Sequence, residues 1–153
     1  MFIFGVLLYI LLIMFAGIMS GSVLHFIDIP SFIFVFVANI AILMSTKSFK
    51  DFWYGIRVVS LKEVELDGVK IENSIRVFAL LYKSSFGIGV FGFLIGLISV
   101  LNYLDDPSHI GPAIGISLLT VFYSILFALA VLIPGRFALK KIEVPKKKSS
   151  KSK

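Results

Sequence analysis

The sequence predicts an all-α integral membrane protein with four transmembrane helices, both termini cytoplasmic and a small cytoplasmic segment between helices 2 and 3. Three observations predict it. First, the chain is 153 residues long and 58% hydrophobic, with 16 Phe, and its mean hydropathy is +1.00. A chain this short cannot hide so much apolar surface in a water-soluble core. Second, four runs come close to the ~20 apolar residues that a helix needs to cross ~30 Å of hydrocarbon. Third, the 15 basic residues fall in two places only, 47–83 and 136–153. Basic residues stay on the cytoplasmic side of an inserted chain, so both segments and both termini are placed there. The same placement accounts for the net charge of +6 without nucleic-acid binding.

The first span is FIFGVLLYILLIMFAGIMS, 2–20. It lacks a basic leading region and its apolar stretch exceeds that of a usual signal peptide, which favours a retained span. The second is SFIFVFVANIAILMS, 31–45, following Pro30, a favoured helix-start residue. The third is SSFGIGVFGFLIGLISVLNY, 84–103, and the fourth PAIGISLLTVFYSILFALAVLI, 112–133, which Pro134 ends or kinks. The chain divides into 1–46 (spans 1 and 2), 47–83 (cytoplasmic segment), 84–135 (spans 3 and 4) and 136–153 (basic tail). The Lys/Ser composition from 145 onward predicts disorder.

Within 47–83, FKDFWYGIRVVSL (49–61) reads as an amphipathic helix at the membrane interface, with Phe52, Trp53 and Tyr54 as anchors. VELDGVKI (64–71) carries Asp-Gly between alternating apolar residues, a hairpin signal. NSIRVFALLYKSS (73–85) returns to helical spacing and is continuous with the third span. Trp53, Arg57 and Arg76 are candidate cytoplasmic contacts. The two outer connections carry Asp28, Asp105 and Asp106, with Pro30 and Pro107, and these five are candidate outer-loop contacts.

The chemistry within the spans is sparse. None contains Asp, Glu, Lys, Arg or His, although an ionisable group at depth is the usual mark of an ion path. The chain is therefore a scaffold, or part of a path whose carboxylate another polypeptide supplies. Gly89, Gly92 and Gly96 mark the third span for close helix packing. Ser117, Thr120, Ser124 and Ala128 share one face of the fourth. Their hydroxyls either bond the backbone and neighbouring helices or line a narrow polar track, and spacing leaves both open. Asn39 in the second span and Asn102 near the end of the third are the other polar groups, with packing or capping roles. With no Cys, thiolate chemistry is excluded. His25 and His109, with the outer aspartates, lack ligand spacing, and there is no Ser-His-Asp order, phosphate-cradling loop or zinc pattern. Neither an enzyme nor a metal site is expected.

Two stretches resemble the MotA/TolQ/ExbB proton channel family, and its MotA branch most. SGSVLHFIDIPSFIFVFVANIAIL (20–43) resembles the first outer loop and second span. The stretch 87–134 resembles the last two spans, with Asp-Pro-Ser, Ile-Gly-Pro, Leu-Leu-Thr and a final Pro in order. The resemblance implies a ring, usually a pentamer, around the single-span helices of a MotB/ExbD-like partner in the bacterial inner membrane. The partner's aspartate carries the ion, a proton rather than sodium, and no cofactor is implied. Ser117, Thr120, Ser124 and Pro134 then map to path-facing or gating positions, and Gly92 and Gly96 to the close-packed third span. The family's Gly-Thr of the third span is here Gly92-Phe93, and its paired Thr of the fourth is Thr120-Val121, so two hydroxyls are lost. The large cytoplasmic domain is shrunk to 47–83, which leaves contact with a rotor open. Two further readings stand beside this one: a non-conducting scaffold from the same family, and an unrelated four-helix transporter component.

Overall fold

The structure, a computed structural model, describes residues 2–19, 21, 23–61, 66–101 and 107–150. Its helices are α1 (Phe2–Met19), α2 (Ile29–Ser45), α3 (Phe49–Ser60), α4 (Gly68–Leu101), α5 (Ile110–Phe127) and α6 (Ile133–Ser150). A π-turn, Ala128–Leu132, joins α5 to α6, and short 3-10 turns precede α2 and α5. The protein is all-helical, with no strand among the described residues.

α1, α4 and the continuous Ile110–Ile142 path are each long and apolar enough to cross a membrane. α2 has 17 residues, about 25 Å at the helical rise, and reaches spanning length only together with α3, from which it is bent by 114°. The chain is thus a multi-pass membrane protein with three candidate spans among the described residues, or four if the bent pair supplies one. α4, at 34 residues, is about 50 Å long and passes through residues 83 and 84 without a break, as the spacing of 73–85 predicts.

The bend after α2 has a defined geometry. The Ser48 N–H donates to Leu43 O at 2.9 Å and the Lys47 N–H to Met44 O at 3.1 Å, the paired bonds of a Schellman ending. Lys47 takes a positive φ of 53°, the left-handed region where an L side chain crowds the following carbonyl.

α3 and the first half of α4 pack with the π-turn and α6 into a core at this end of the bundle. Phe78 is its centre and is fully buried. It lies between two glycines: a Cβ on Gly55 would stand 2.8 Å from one ring edge, and one on Gly135 would overlap the other. The Phe52 ring packs 5.3 Å from it, centroid to centroid. The Ser74 hydroxyl lies 2.7 Å from Asp51 O on α3 and 2.8 Å from Lys70 O on its own helix, tying the two helices.

Three expectations are corrected here. Residues 64–71 make no hairpin: Val64 and Glu65 lie outside the described residues, and Asp67-Gly68 starts α4. Val69 N–H donates to Asp67 Oδ1 at 3.0 Å and Lys70 N–H at 3.4 Å, so the Asp caps the helix instead of turning a strand. The Lys70 N–H, then that of Val69, holds the Asp67 carboxyl below its ordinary 3.8. This capping contribution is complete above that value and is lost as pH falls through the lowered one. Second, of the three aromatic anchors, Phe52 and Tyr54 turn inward. Phe52 packs on Phe78, and the Tyr54 hydroxyl accepts from Asp67 N–H at 3.0 Å; Trp53 alone is exposed.

Third, Pro134 does not end the span, since the helical path continues through it to Ile142. Proline cannot donate to the carbonyl four residues back and its ring crowds it. The preceding residues widen into the π-turn, and Ile133 N–H reaches back to Ala128 O. α6 is helical as far as Ser150; lysine is a good helix former.

Two outcomes follow. Phe78→Ala is expected to destabilise the protein by about 3 kcal/mol through the cavity it leaves, measured by chemical denaturation in detergent. Lys47→Gly is expected to stabilise it by about 1 kcal/mol by relieving the left-handed backbone, read in the same assay.

Candidate functional site

The site is built on the antiparallel pair α4–α5. Three glycines on α4 face three hydroxyl residues on α5: Gly89 faces Ser124, Gly92 faces Thr120 and Gly96 faces Ser117. Spacings of three and four on one helix are answered by four and three on the other. The absence of side chains is what permits the approach. A Cβ at Gly89 would stand 2.9 Å from Ser124 Cβ, and one at Gly92 or Gly96 would overlap Thr120 or Ser117.

All three hydroxyl residues are buried in the protomer. Ser117 donates to Ala113 O at 2.7 Å, and Ser124 to Thr120 O at 3.0 Å. Thr120 reaches Ser31 Oγ on α2 at 3.0 Å and its own Ile116 O at 3.4 Å. Of the two alternatives left by spacing, these contacts are backbone bonding and helix-to-helix bonding. Asn39 plays the same part deeper in α2: its amide donates to Val35 O at 2.8 Å and its oxygen accepts from Ser85 on α4 at 2.8 Å.

A groove of about 530 Å³ opens beside this ladder, between α2, α4 and α5. Ser31, Ser99, Ser117, Thr120 and His109 are its polar lining, with Pro30, Phe34 and Ile116 among the apolar residues. Phe93 and Val121 lie on the opposite side of the pair. Each is one residue on from a ladder position, about 100° round its helix, and in antiparallel helices the two rotations bring both to the same side. Both are half-buried. Phe93 falls on the stripe of Phe86, and Val121 on that of Ile125; these two neighbours line a smaller cleft of 200 Å³ on that side.

The other predicted residues disperse. Pro134 faces α1, lining a cleft with Phe2, Val6 and Tyr9, and is away from the ladder. Asp28 caps α2, accepting from Ser31 N–H at 2.9 Å, and Pro30 sits exposed in that first turn. Asp105 and Asp106 lie outside the described residues, and Pro107 begins the 3-10 turn before α5. Trp53 and Arg57 are exposed on α3, and Arg76 is exposed on α4, paired with Glu72 at 2.8 Å. Among the described residues no group of three His, Asp or Glu side chains is placed to hold a metal.

Two residues escaped the sequence reading. Tyr123 on α5 accepts from Asp28 N–H at 2.9 Å and donates to Phe26 O at 2.6 Å, clasping the segment that enters α2. Ser31 joins the ladder from a third helix. Tyr123 lies three residues beyond Thr120, so helical spacing from the hydroxyl face was the signal that could have found it.

Residues 55–148, well over half of the chain, match the MotA/TolQ/ExbB proton channel family. Chemotaxis protein PomA of Vibrio alginolyticus is 30% identical over 79 residues, which are 52% of this chain and 31% of PomA. Motility protein A of Aquifex aeolicus is 38% identical over 72 residues, 47% of this chain and 28% of its own length. Motility protein A of Cereibacter sphaeroides is 44% identical over 46 residues, 30% of this chain and 18% of its own. The chain thus spans less than a third of the length of each relative it matches. On the extent of the family match, together with the apolar α4–α5 pair at its centre, this chain belongs to the MotA/TolQ/ExbB proton channel family.

Proposed function

We propose that this chain is a ring-forming subunit of an ion-driven machine in the bacterial cytoplasmic membrane, acting with a single-span partner that supplies the ion-carrying aspartate. The observation that carries this reading is the lack of any charged side chain over residues 84–101 of α4 and over α5. The hydroxyls of this region bond within the chain, and no carboxylate stands within it, which supports a titrating group supplied by another polypeptide. In this reading α2 is a fourth span, both termini are cytoplasmic, the ring is a pentamer and the coupling ion is the proton. Sodium is less favoured because its coordination wants several oxygens. Family membership supports an ion-path role, and the relatives named for motility and chemotaxis support a stator-like one. Membership also removes the unrelated four-helix transporter component from consideration.

A second reading, a non-conducting scaffold of the same family, is favoured by Phe93 and Val121. They put a phenyl ring and an isopropyl group on one side of the α4–α5 pair, where the family resemblance implies hydroxyls.

Copurification with a single-span partner, with subunits counted by electron microscopy, tests the assembly. Proton leak into vesicles holding the complex separates the two readings. The proposed subunit is expected to leak detectably with its partner present, and Phe93→Thr with Val121→Thr is expected to raise that leak severalfold. If neither the native chain nor the variant leaks or drives motion, the conducting reading falls and the scaffold remains.

A further inference from the structure

The outward face of α3 has no part in the reading above. α3 follows α2 after only Thr46, Lys47 and Ser48, and turns away from it by 114°, close to a right angle. A helix held in that way begins within one turn of the end of an apolar helix and, with α2 taken as a span as proposed above, lies at the level of a bilayer surface. Its inward side is spoken for: Gly55 and Val58 are buried, Phe52 packs on Phe78, and the carbonyl of Asp51 accepts from Ser74.

The outward side is ordered. At about 100° per residue, Phe49 lies on one margin, Lys50 and Arg57 on the other, and Trp53 between them. Phe49 is 50% and Trp53 53% exposed, and the two cations are exposed with them. Together with Tyr54 they line a shallow depression of about 410 Å³. Among the described residues neither Lys50 nor Arg57 is in an ion pair. An apolar margin, an indole at the boundary and a cationic margin follow the order of a bilayer surface from acyl chains to headgroups.

We infer that this face binds the anionic phospholipid headgroups of the bilayer. Lys50 and Arg57 take the phosphate, Trp53 sits at the headgroup level and Phe49 enters the acyl boundary. The cationic margin selects anionic over zwitterionic lipid, because a basic side chain near an anionic surface is attracted in proportion to its charge.

Trp53 is the chain's single tryptophan, so its fluorescence reports this face alone. The full chain is reconstituted in phosphatidylcholine vesicles in which either phosphatidylglycerol or phosphatidylcholine carries bromine near the headgroup end of its acyl chains. Both lipids are expected to quench Trp53. At equal mole fraction brominated phosphatidylglycerol is expected to be preferred by about fivefold for each cation engaged. Lys50→Gln with Arg57→Gln, or high salt on the unaltered chain, is expected to abolish the preference and leave quenching by phosphatidylcholine. Equal quenching by the two lipids in the unaltered chain at low salt would overturn the inference. So would Trp53 shielded from aqueous acrylamide yet untouched by either brominated lipid, which would put a protein on this face.

Discussion

The close approach of α4 and α5 is the constraint on which the rest of the structure depends. Between helices in lipid there is no hydrophobic drive, because acyl chains are as apolar as leucine. What holds such helices is contact, and contact falls away steeply with distance. A radial gap of about 1 Å forfeits up to half of the dispersion attraction. Gly89, Gly92 and Gly96 remove that gap, and the hydroxyl residues opposite are small enough to fit it. Hydrogen bonds between helices add less, averaging about 0.6 kcal/mol each. The bonds of Thr120 to Ser31 and of Ser85 to Asn39 therefore fix where α2 sits on the pair more than they hold it there.

The α3 end follows different physics. Phe78 is enclosed by Gly55, Gly135 and Phe52, and its neighbours are aliphatic side chains of α2, α3, α4, the π-turn and α6. This is a compact apolar core like that of a soluble domain. The two regions share α4, whose unbroken length carries Phe78 at one level and the glycines at another. A helix of that length couples them rigidly. A shift of α6 or α3 around Phe78 has to be accommodated by the π-turn, where Pro134 has already cost the helix a backbone bond, or transmitted to the α4–α5 contact.

Most of the helices were legible in the sequence because they rest on local chemistry. Apolar runs gave α1 and α5, helical spacing joined 73–85 to the third span, and Pro30 marked the start of α2. The misses arose where a tertiary partner decided the outcome. Asp67-Gly68 suits a hairpin or a helix cap equally well. The second choice prevailed because Ile71 and Ile75 beyond it bury against the Phe78 core. Phe52, Trp53 and Tyr54 are three adjacent aromatics, and only a neighbouring α4 determines which of them turn inward. The hydroxyl face of α5 was found correctly as a face, but spacing says nothing about what lies opposite. The glycines of α4 lie there.

That placement changes what the two substitutions imply. Were Ser117, Thr120 and Ser124 on an open surface, Phe93 and Val121 would be minor losses from a polar track still carrying three hydroxyls. In the structure those three are buried against the α4 glycines, and each hydroxyl bonds within the chain: Ser117 to Ala113 O, Ser124 to Thr120 O, and Thr120 to Ser31 Oγ or its own Ile116 O. The side bearing Phe93 and Val121 then has few oxygens of its own to offer a passing ion or an ordered water. A partner helix placed against it would meet a mainly apolar wall, where an ionised carboxylate is strongly disfavoured and a protonated one is not. Such a wall does not prevent proton carriage, since the neutral acid can cross it. It does restrict where the proton can be exchanged, to positions along the helix where water or a hydroxyl is in reach. The groove containing Ser31 and His109 lies on the other side of the pair, so access there is separated from this wall by the helices themselves.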